Sequence, residues 1–397
     1  MPDRELFSLG PWWEPRHVEV AQQAREVARE LASNFPTVRT DREARLQAPR
    51  LVSFLGLSRA LRPLASEHLD LRTLALWREY LAYESPLADA LWAIQGLAAL
   101  ALRGETSPAV TPWFNRILSG QSVAAFALTE PDAGSDLRAI CTRAERVPGG
   151  YRLKGTKHLI SNAGIAEVAV VLARTGDSEE NRAFTAFLVP TDREGLEFEQ
   201  AQELSEPHPL GSYRLRGCFV EEELRLGEEG SGLHLCLQVL EKMRVTVAAA
   251  ACGMAARAHQ EAVAFVRKRV QFGRKLAENS MVQATLADSE VDLLAARTLT
   301  FRAAWLHDRG DLEDFAAATS AAKLFATEAA QRIVDRSVQL LGGRGVLAES
   351  WTDRLYRAIR PLRIYEGTSE IHRLLVARKT LKRAATQDHN SSPENSH

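Results

Sequence analysis

The spacing of apolar positions changes twice along the chain. Val20, Ala24, Val27 and Leu31 recur at i, i+4, i+7 and i+11, one face of an amphipathic helix. Ser85-Pro86 predicts an N-cap followed by proline at the first helical position, opening a helix to about Leu102, and Gly104 to Gly120 reads as a connection. From about Gln121 to Gly227 the runs become short. Val123 to Thr129, Val168 to Ala173 and Phe184 to Val189 are compact and apolar. Tyr151 and Leu153 alternate with polar neighbours after the turn Pro148-Gly149-Gly150, and Tyr213, Leu215, Gly217 and Phe219 alternate in the same way. From Gly232 the helical period returns. It predicts helices from there to about Arg269, over Val282 to His307, from near Asp314 to a C-cap at Gly342-Gly343, and over Ser369 to Arg383.

This order predicts an α+β multidomain protein. Residues 1–120 form an N-terminal α-helical domain, 121–230 a small antiparallel β-barrel-like domain, 231–385 a C-terminal four-helix bundle, and 386–397 a disordered polar tail. A length of 397 residues suits two or three domains with cores of their own. Fifty basic against 51 acidic side chains, formal net charge −1, leave no basic excess for a phosphate backbone, so no nucleic-acid partner is expected. Four cysteines without a Cys-x-x-Cys pair argue against a disulfide scaffold or zinc ribbon and favour a reducing compartment. The most apolar stretch, Ala90 to Leu102, is broken by Gln95 and Gly96 and is too short to span a bilayer. With no leader pattern at the N-terminus, the expectation is a soluble, cytoplasmic protein without membrane insertion.

Gly343-Arg-Gly-Val-Leu-Ala348, followed by Glu366, fits a loose dinucleotide fingerprint, but Val334, Val338 and Leu341 before it are spaced as a helix, not a strand. No Walker loop, His-Glu-x-x-His or Gly-x-Ser-x-Gly occurs, the ten histidines lack ligand spacing, and no metal is expected.

Four segments carry more information: Ala127-Leu-Thr-Glu-Pro-Asp-Ala-Gly-Ser-Asp136, Gly155-Thr-Lys-His-Leu-Ile-Ser-Asn-Ala163, Arg269-Val-Gln-Phe-Gly273 and Arg363-Ile-Tyr-Glu-Gly-Thr-Ser-Glu370. In this order they resemble the acyl-CoA dehydrogenase flavoproteins, from about Gly120 to Lys379. The resemblance implies FAD and oxidation of the Cα–Cβ bond of an acyl thioester to the 2-enoyl product. A thioester α proton is weakly acidic, so its removal needs a carboxylate in a dry site and donors aimed at the enolate oxygen. By resemblance Glu366 is that base, with its own backbone N–H contacting the thioester carbonyl. The bland alternative, a glutamate favoured at a helix N-terminus, suits Glu370 better.

In the 127–136 loop Pro131 and Gly134 fix a sharp turn that frees N–H groups and the hydroxyls of Thr129 and Ser135, in a ligand cradle or merely in a capped turn. The resemblance places Phe126, Leu128, Thr129, Gly134 and Ser135 against the isoalloxazine, Ser135 also toward the CoA arm, and Leu159, Ile160 and Ser161 beside the ring. It places Arg269, Gln271 and Phe272 on the diphosphate and adenine half of an FAD held by another subunit, with Gln339, Gly342 and Gly343 approaching it across that boundary. Thr368 and Glu370 follow as flavin contacts and Gly367 as a substrate contact. A shared flavin implies a homotetramer or at least a homodimer. Arg269 also suits a helix C-terminus. Glu241-Lys-Met-Arg244 resembles the segment lining the acyl-CoA channel, although spacing of three also permits an ion pair between Glu241 and Arg244 within one helix.

The chain departs from the family pattern at Leu159, where a tryptophan is common, at Met243, where a branched-chain subset places its base, and at Ala358 and Ser280. The leading expectation is an acyl-CoA dehydrogenase donating electrons to an electron-transfer flavoprotein. The alternatives are the same chemistry on an acyl-carrier-protein thioester, an oxidase, and a non-catalytic flavoprotein of this fold.

Overall fold

The computed structural model describes residues 7–8, 10–176 and 183–391, with side chains as far as residue 385. Five helices come first: α1 (Pro15–Asn34), α2 (Asp41–Leu57), α3 (Leu71–Glu84), α4 (Pro86–Leu102) and α5 (Thr111–Leu118). Proline at N1 and a reciprocal capping box between Glu14 and His17 start α1, while Ser85 accepts from the Ala88 N–H to start α4, as its sequence predicts. The segment 104–120, read above as a connection, contains α5. Its eight residues give little more than two turns of periodicity to detect.

The middle of the chain is one mixed sheet of eight strands: β1 (Ala124–Ala127), β2 (Arg143–Val147), β3 (Gly150–Ser161), β4 (Val168–Arg174), β5 (Phe184–Pro190), β6 (Leu196–Ala201), β7 (Leu210–Glu221) and β8 (Arg225–Leu226). Its main path runs β6-β7-β3-β2-β4-β5-β8 and is antiparallel except where β2 touches β4. β1 lies off that path, parallel to β4 with Ala124 opposite Val168. Almost every residue of β4 and β5 is buried, which explains why they read as unbroken apolar runs rather than alternating ones.

The C-terminal part packs α6 (Gly232–Val266), α7 (Ser280–Asp308), α8 (Leu312–Leu341) and α10 (Ser369–Ser391), with the shorter α9 (Trp351–Ile359) against α6 and α8. A hairpin of β9 (Val270–Gln271) and β10 (Arg274–Lys275) joins α6 to α7. Thus α6 ends before Arg269, and α8 ends at Gly342 with φ 59°, as its glycine pair predicts. The tail expected from residue 386 is helical through Ser391; residues 392–397 lie outside the described residues.

The layers are stitched by polar groups. Gln95, which interrupts the apolar stretch of α4, is fully buried. Its amide donates to the Ser122 carbonyl (2.8 Å) and accepts from the Ala124 N–H (2.7 Å), fixing the start of β1. In the interior α3 crosses α6 at Gly253, where an added Cβ would lie 2.1 Å from the Glu79 carbonyl oxygen. Backbone cannot yield as a side chain does, so Gly253→Ala should lower stability by about 1–3 kcal/mol through overpacking, read as a lower urea midpoint with an unchanged slope.

Candidate active site

After α9, Pro361 sets a single 3-10 turn (Arg360–Arg363), and the chain then loops through 364–368 before Thr368 caps α10, its Oγ1 accepting from the Ile371 N–H at 3.3 Å. Glu366 in this loop has φ 53° and Gly367 φ 99°. A left-handed backbone is uncommon for glutamate, and it is held here by cations from two neighbouring helices. Lys323 of α8 donates to the carbonyls of Tyr365 (3.0 Å) and Gly367 (2.5 Å), while Arg244 Nε of α6 donates to the Glu366 carbonyl (3.1 Å). A side chain at Gly367 would be strained by its φ of 99° and its Cβ would press on the buried His372 ring at 3.0 Å.

The Glu366 side chain carries a buried carboxylate oxygen. Its Oε2 is shut off from solvent and has no hydrogen-bond partner among the described residues. Burial pushes its pKa up, with the charges of Arg78, Lys323 and Arg244 pulling it back. Burial and the nearby Lys323 and Arg244 push the pKa of His372 beside it down to about 3, and neither ring nitrogen has a hydrogen-bond partner by geometry among the described residues. Burial likewise brings Lys323 down to about 8, against the pull of Glu366.

Beneath the loop lies a pair that sequence reasoning missed. Arg78 of α3 is fully buried and holds Asp89 of α4 through two bonds, 2.7 and 2.8 Å, and Thr246 of α6 at 3.1 Å. Burial opposes its charge, but Asp89 outweighs that and holds the guanidinium above its ordinary value. Its charge acts on Glu366, and it also reaches the Tyr365 hydroxyl, which is enclosed although Tyr365 keeps 36% of its surface exposed. Lys323 and Arg78 both stand on buried helix faces, and a cation on an otherwise apolar face is the sequence signal that would have found them.

The two segments read as flavin loops are brought together. The His158 N–H donates to the Thr129 carbonyl (2.9 Å), and the buried Lys157 ammonium bridges the Leu128 carbonyl (3.0 Å) and Glu130 (2.8 Å). Glu130 in turn accepts from the N–H groups of Cys141 and Thr142, closing the turn. The β3 strand slips register between Lys157 and Ile160, and Leu159 at the irregularity has φ 54° and stands half exposed. The hydroxyls of Thr129, Ser135 and Ser161 make no hydrogen bond among the described residues, and open space surrounds Gly134. That supply of free donors fits a flavin. Leu128 and Ile160 turn their side chains into the core, so they offer a cofactor backbone only. Phe126 is partly buried against that core.

Arg269, Gln271 and Phe272 lie on the exposed β9–β10 hairpin, Phe272 with φ 51° and its ring entirely in solvent. Gln339, Gly342 and Gly343 are exposed as well, and Arg344 beyond them sits 5.8 Å over Phe265. Both groups therefore adjoin the C-terminal end of α6. The intrahelical pair allowed by spacing does not form: Arg244 turns to the Glu366 carbonyl, and Glu241 has no ion-pair partner among the described residues. Glu370 is exposed in the first turn of α10, beside Arg373 at 3.4 Å, as a helix N-terminal acid.

Lys157→Met would leave Glu130 buried and unpaired, which should cost about 3–5 kcal/mol. The double variant Lys157→Met, Glu130→Gln should recover part of that loss, measured as denaturation midpoints of all three proteins.

The comparisons agree with this geometry. The family models for the acyl-CoA dehydrogenase middle domain and C-terminal domain match residues 125–215 and 230–381. Bovine (Bos taurus) mitochondrial short-chain specific acyl-CoA dehydrogenase is 33% identical over 392 residues, covering 94% of this chain and 95% of the relative. A 3-(aryl)acrylate reductase of Clostridium sporogenes is 37% identical over 268 residues, 67% of this chain and 71% of the relative. Butyryl-CoA dehydrogenase from Megasphaera elsdenii superposes with a TM-score of 0.84 at 26% identity, covering 93% of this chain and 99% of that one. The chain belongs to the acyl-CoA dehydrogenase family of FAD-dependent oxidoreductases.

Proposed function

We propose that the protein removes the α proton of an acyl-CoA thioester with Glu366 and so forms the 2-enoyl-CoA. The observation that carries this reading is the enclosed, unpartnered Glu366 Oε2, raised in pKa by burial yet kept ionisable by three cations. FAD, once bound, supplies the acceptor for the β hydride. Phe126 to Ser135 and Leu159 to Ser161 would hold its ring end. Arg269, Gln271 and Phe272 with Gln339, Gly342 and Gly343 would hold its diphosphate and adenine end across a subunit boundary, and Thr368 and Glu370 would add contacts beyond the base. Their exposure in a single chain supports a homo-oligomer, for which light scattering should give the mass of two or four chains of 43.9 kDa.

The residues divide the labour by position. The Glu366 N–H has no hydrogen-bond partner among the described residues, and donating to the thioester oxygen it would stabilise the charge that develops as the α proton leaves. Arg244 holds the next carbonyl so that the carboxylate stays aimed, and Glu241, Gly367 and Ser135 would line the thioester and CoA path. We read the three blocks of elements as the domains 1–120, 121–230 and 231–385, with electron-transfer flavoprotein as the acceptor of the reducing equivalents. Among the described residues no helix is long and apolar enough to cross a membrane.

An anaerobic titration with straight, branched and cyclic acyl-CoAs, followed by flavin absorbance, tests the function. One class should bleach the flavin; a flavin that no acyl-CoA reduces would overturn the reading in favour of a carrier-bound substrate or a non-catalytic role. Glu366→Gln should retain flavin and lose about 10²–10⁴ in the reduction rate. In the unsubstituted protein kcat/KM should fall tenfold per unit as pH drops through the base's pKa, because the protonated carboxyl accepts no proton. Burial places that midpoint above the ordinary glutamate value.

A further inference from the structure

Two helices and three consecutive carbonyls define the base loop. The carbonyls of Tyr365 and Gly367, two residues apart, converge on the single ammonium of Lys323, at 3.0 and 2.5 Å, while the carbonyl between them is taken by Arg244 at 3.1 Å. A trans peptide is planar, so its N–H points opposite to its C=O; among the described residues no peptide bond is cis. Fixing the Tyr365 carbonyl on Lys323 therefore fixes the direction of the Glu366 N–H, which faces away from α8 and is left without a partner among the described residues. A cation on the carbonyl also draws electron density from the amide and makes its N–H a stronger donor.

We propose that Lys323 is a positioning residue of the reaction: it orients and polarises the 365–366 peptide so that the Glu366 N–H stabilises the enolate oxygen of the thioester. The proposal rests on the acyl thioester reading of the site and adds to it the group that sets the donor. Two further observations support it. Lys323 is fully buried, yet none of the carboxylates whose charge acts on it lies within ion-pair distance, so the backbone carbonyls of the loop take its ammonium. The conformations at Glu366 and Gly367 are both left-handed, which a loop keeps only when its surroundings determine it. Burial lowers the Lys323 pKa to about 8, so the ammonium form predominates at neutral pH, where its charge can act on the peptide.

The test uses the flavin-loaded enzyme and crotonyl-CoA carrying 13C at the thioester carbonyl. Infrared difference spectra of the unsubstituted protein should show the carbonyl stretch shifted to lower frequency on binding. Lys323→Met should lose most of that shift and about 10² in kcat with butyryl-CoA, with a smaller change in KM, the pattern of an interaction formed mainly in the transition state. Lys323→Arg should restore part of both. If Lys323→Met fails to retain flavin, Lys323→Gln, a neutral donor of similar reach, takes its place beside Lys323→Arg: Gln should show the smaller infrared shift. A full shift in Lys323→Met, or equal shifts in the Gln and Arg proteins, would overturn the proposal while leaving the thioester reading intact. No shift in the unsubstituted protein would overturn the thioester reading and the proposal together. A merely structural role would lower stability and leave the carbonyl stretch of the bound probe unchanged.

Discussion

The close approach of α3 to α6 at Gly253 is the constraint on which the site depends. With no side chain at that position the two helices meet near backbone contact, and adjacent charges on α3, Arg78 and Glu79, are carried into the dry interior. Each must find an opposite charge there, because an unpaired buried ion costs several kcal/mol. Glu79 is met by Arg297 of α7 at 2.9 Å, and Arg78 by Asp89 of α4 with two bonds. The pairs fix the angles at which α4 and α7 cross α3, a specificity that apolar packing alone would not impose. The bond from Arg78 to Thr246 carries the same geometry into α6 two residues from Arg244, so the packing of the N-terminal helices reaches the 364–368 loop through one short stretch of α6.

Around Glu366 this arrangement resolves a conflict. A base must be dry enough to be basic, yet a dry carboxylate resists ionisation. Three cations at different removes settle it: Arg244 and Lys323 bind the loop's carbonyls and leave the carboxylate itself unpaired, and Arg78 acts from below through its field. A direct salt bridge to Glu366 would have lowered its basicity and occupied the oxygen that must take the proton. Holding the peptide rather than the carboxylate supplies the charge without the bond.

Much of this was legible in the sequence, and what was not has a physical reason. The helix, strand, helix order followed from periodicity because the elements are long or fully buried. α5 and α9 were missed because eight or nine residues give little period to count, and β6 because only Leu196 of its six residues is buried, which leaves no apolar alternation. Glu366, Thr129 and Arg244 could be singled out because they sit in local motifs. Arg78 and Asp89 could not be paired from the sequence: they lie 11 residues apart on two helices joined at Ser85, and no spacing rule reaches across that corner. The ion pair that the spacing of Glu241 and Arg244 allows does not form for a similar reason, since the tertiary partner of Arg244 lies 122 residues away.

Directional polar contacts, beside the shared apolar core, tie the three blocks together. Arg45 of α2 donates to the carbonyls of Ala163 and Leu210. Glu206, in the loop between β6 and β7, binds Arg354 (2.7 Å) and Arg357 (3.0 Å) of α9. Arg354 also reaches Thr37 between α1 and α2, so one guanidinium touches all three blocks. Directional bonds of this kind define a relative position that an oily interface would leave free to slide. The position matters to the proposed reaction because Glu366 is carried by the bundle and the 127–136 and 155–163 loops by the sheet, and a displacement of about 1 Å between reacting groups is enough to cost 10²-fold in rate. α9 thus connects the sheet to the start of the 364–368 loop within ten residues of Glu366, and the bonds to Glu206 hold that loop in register with the strands opposite it.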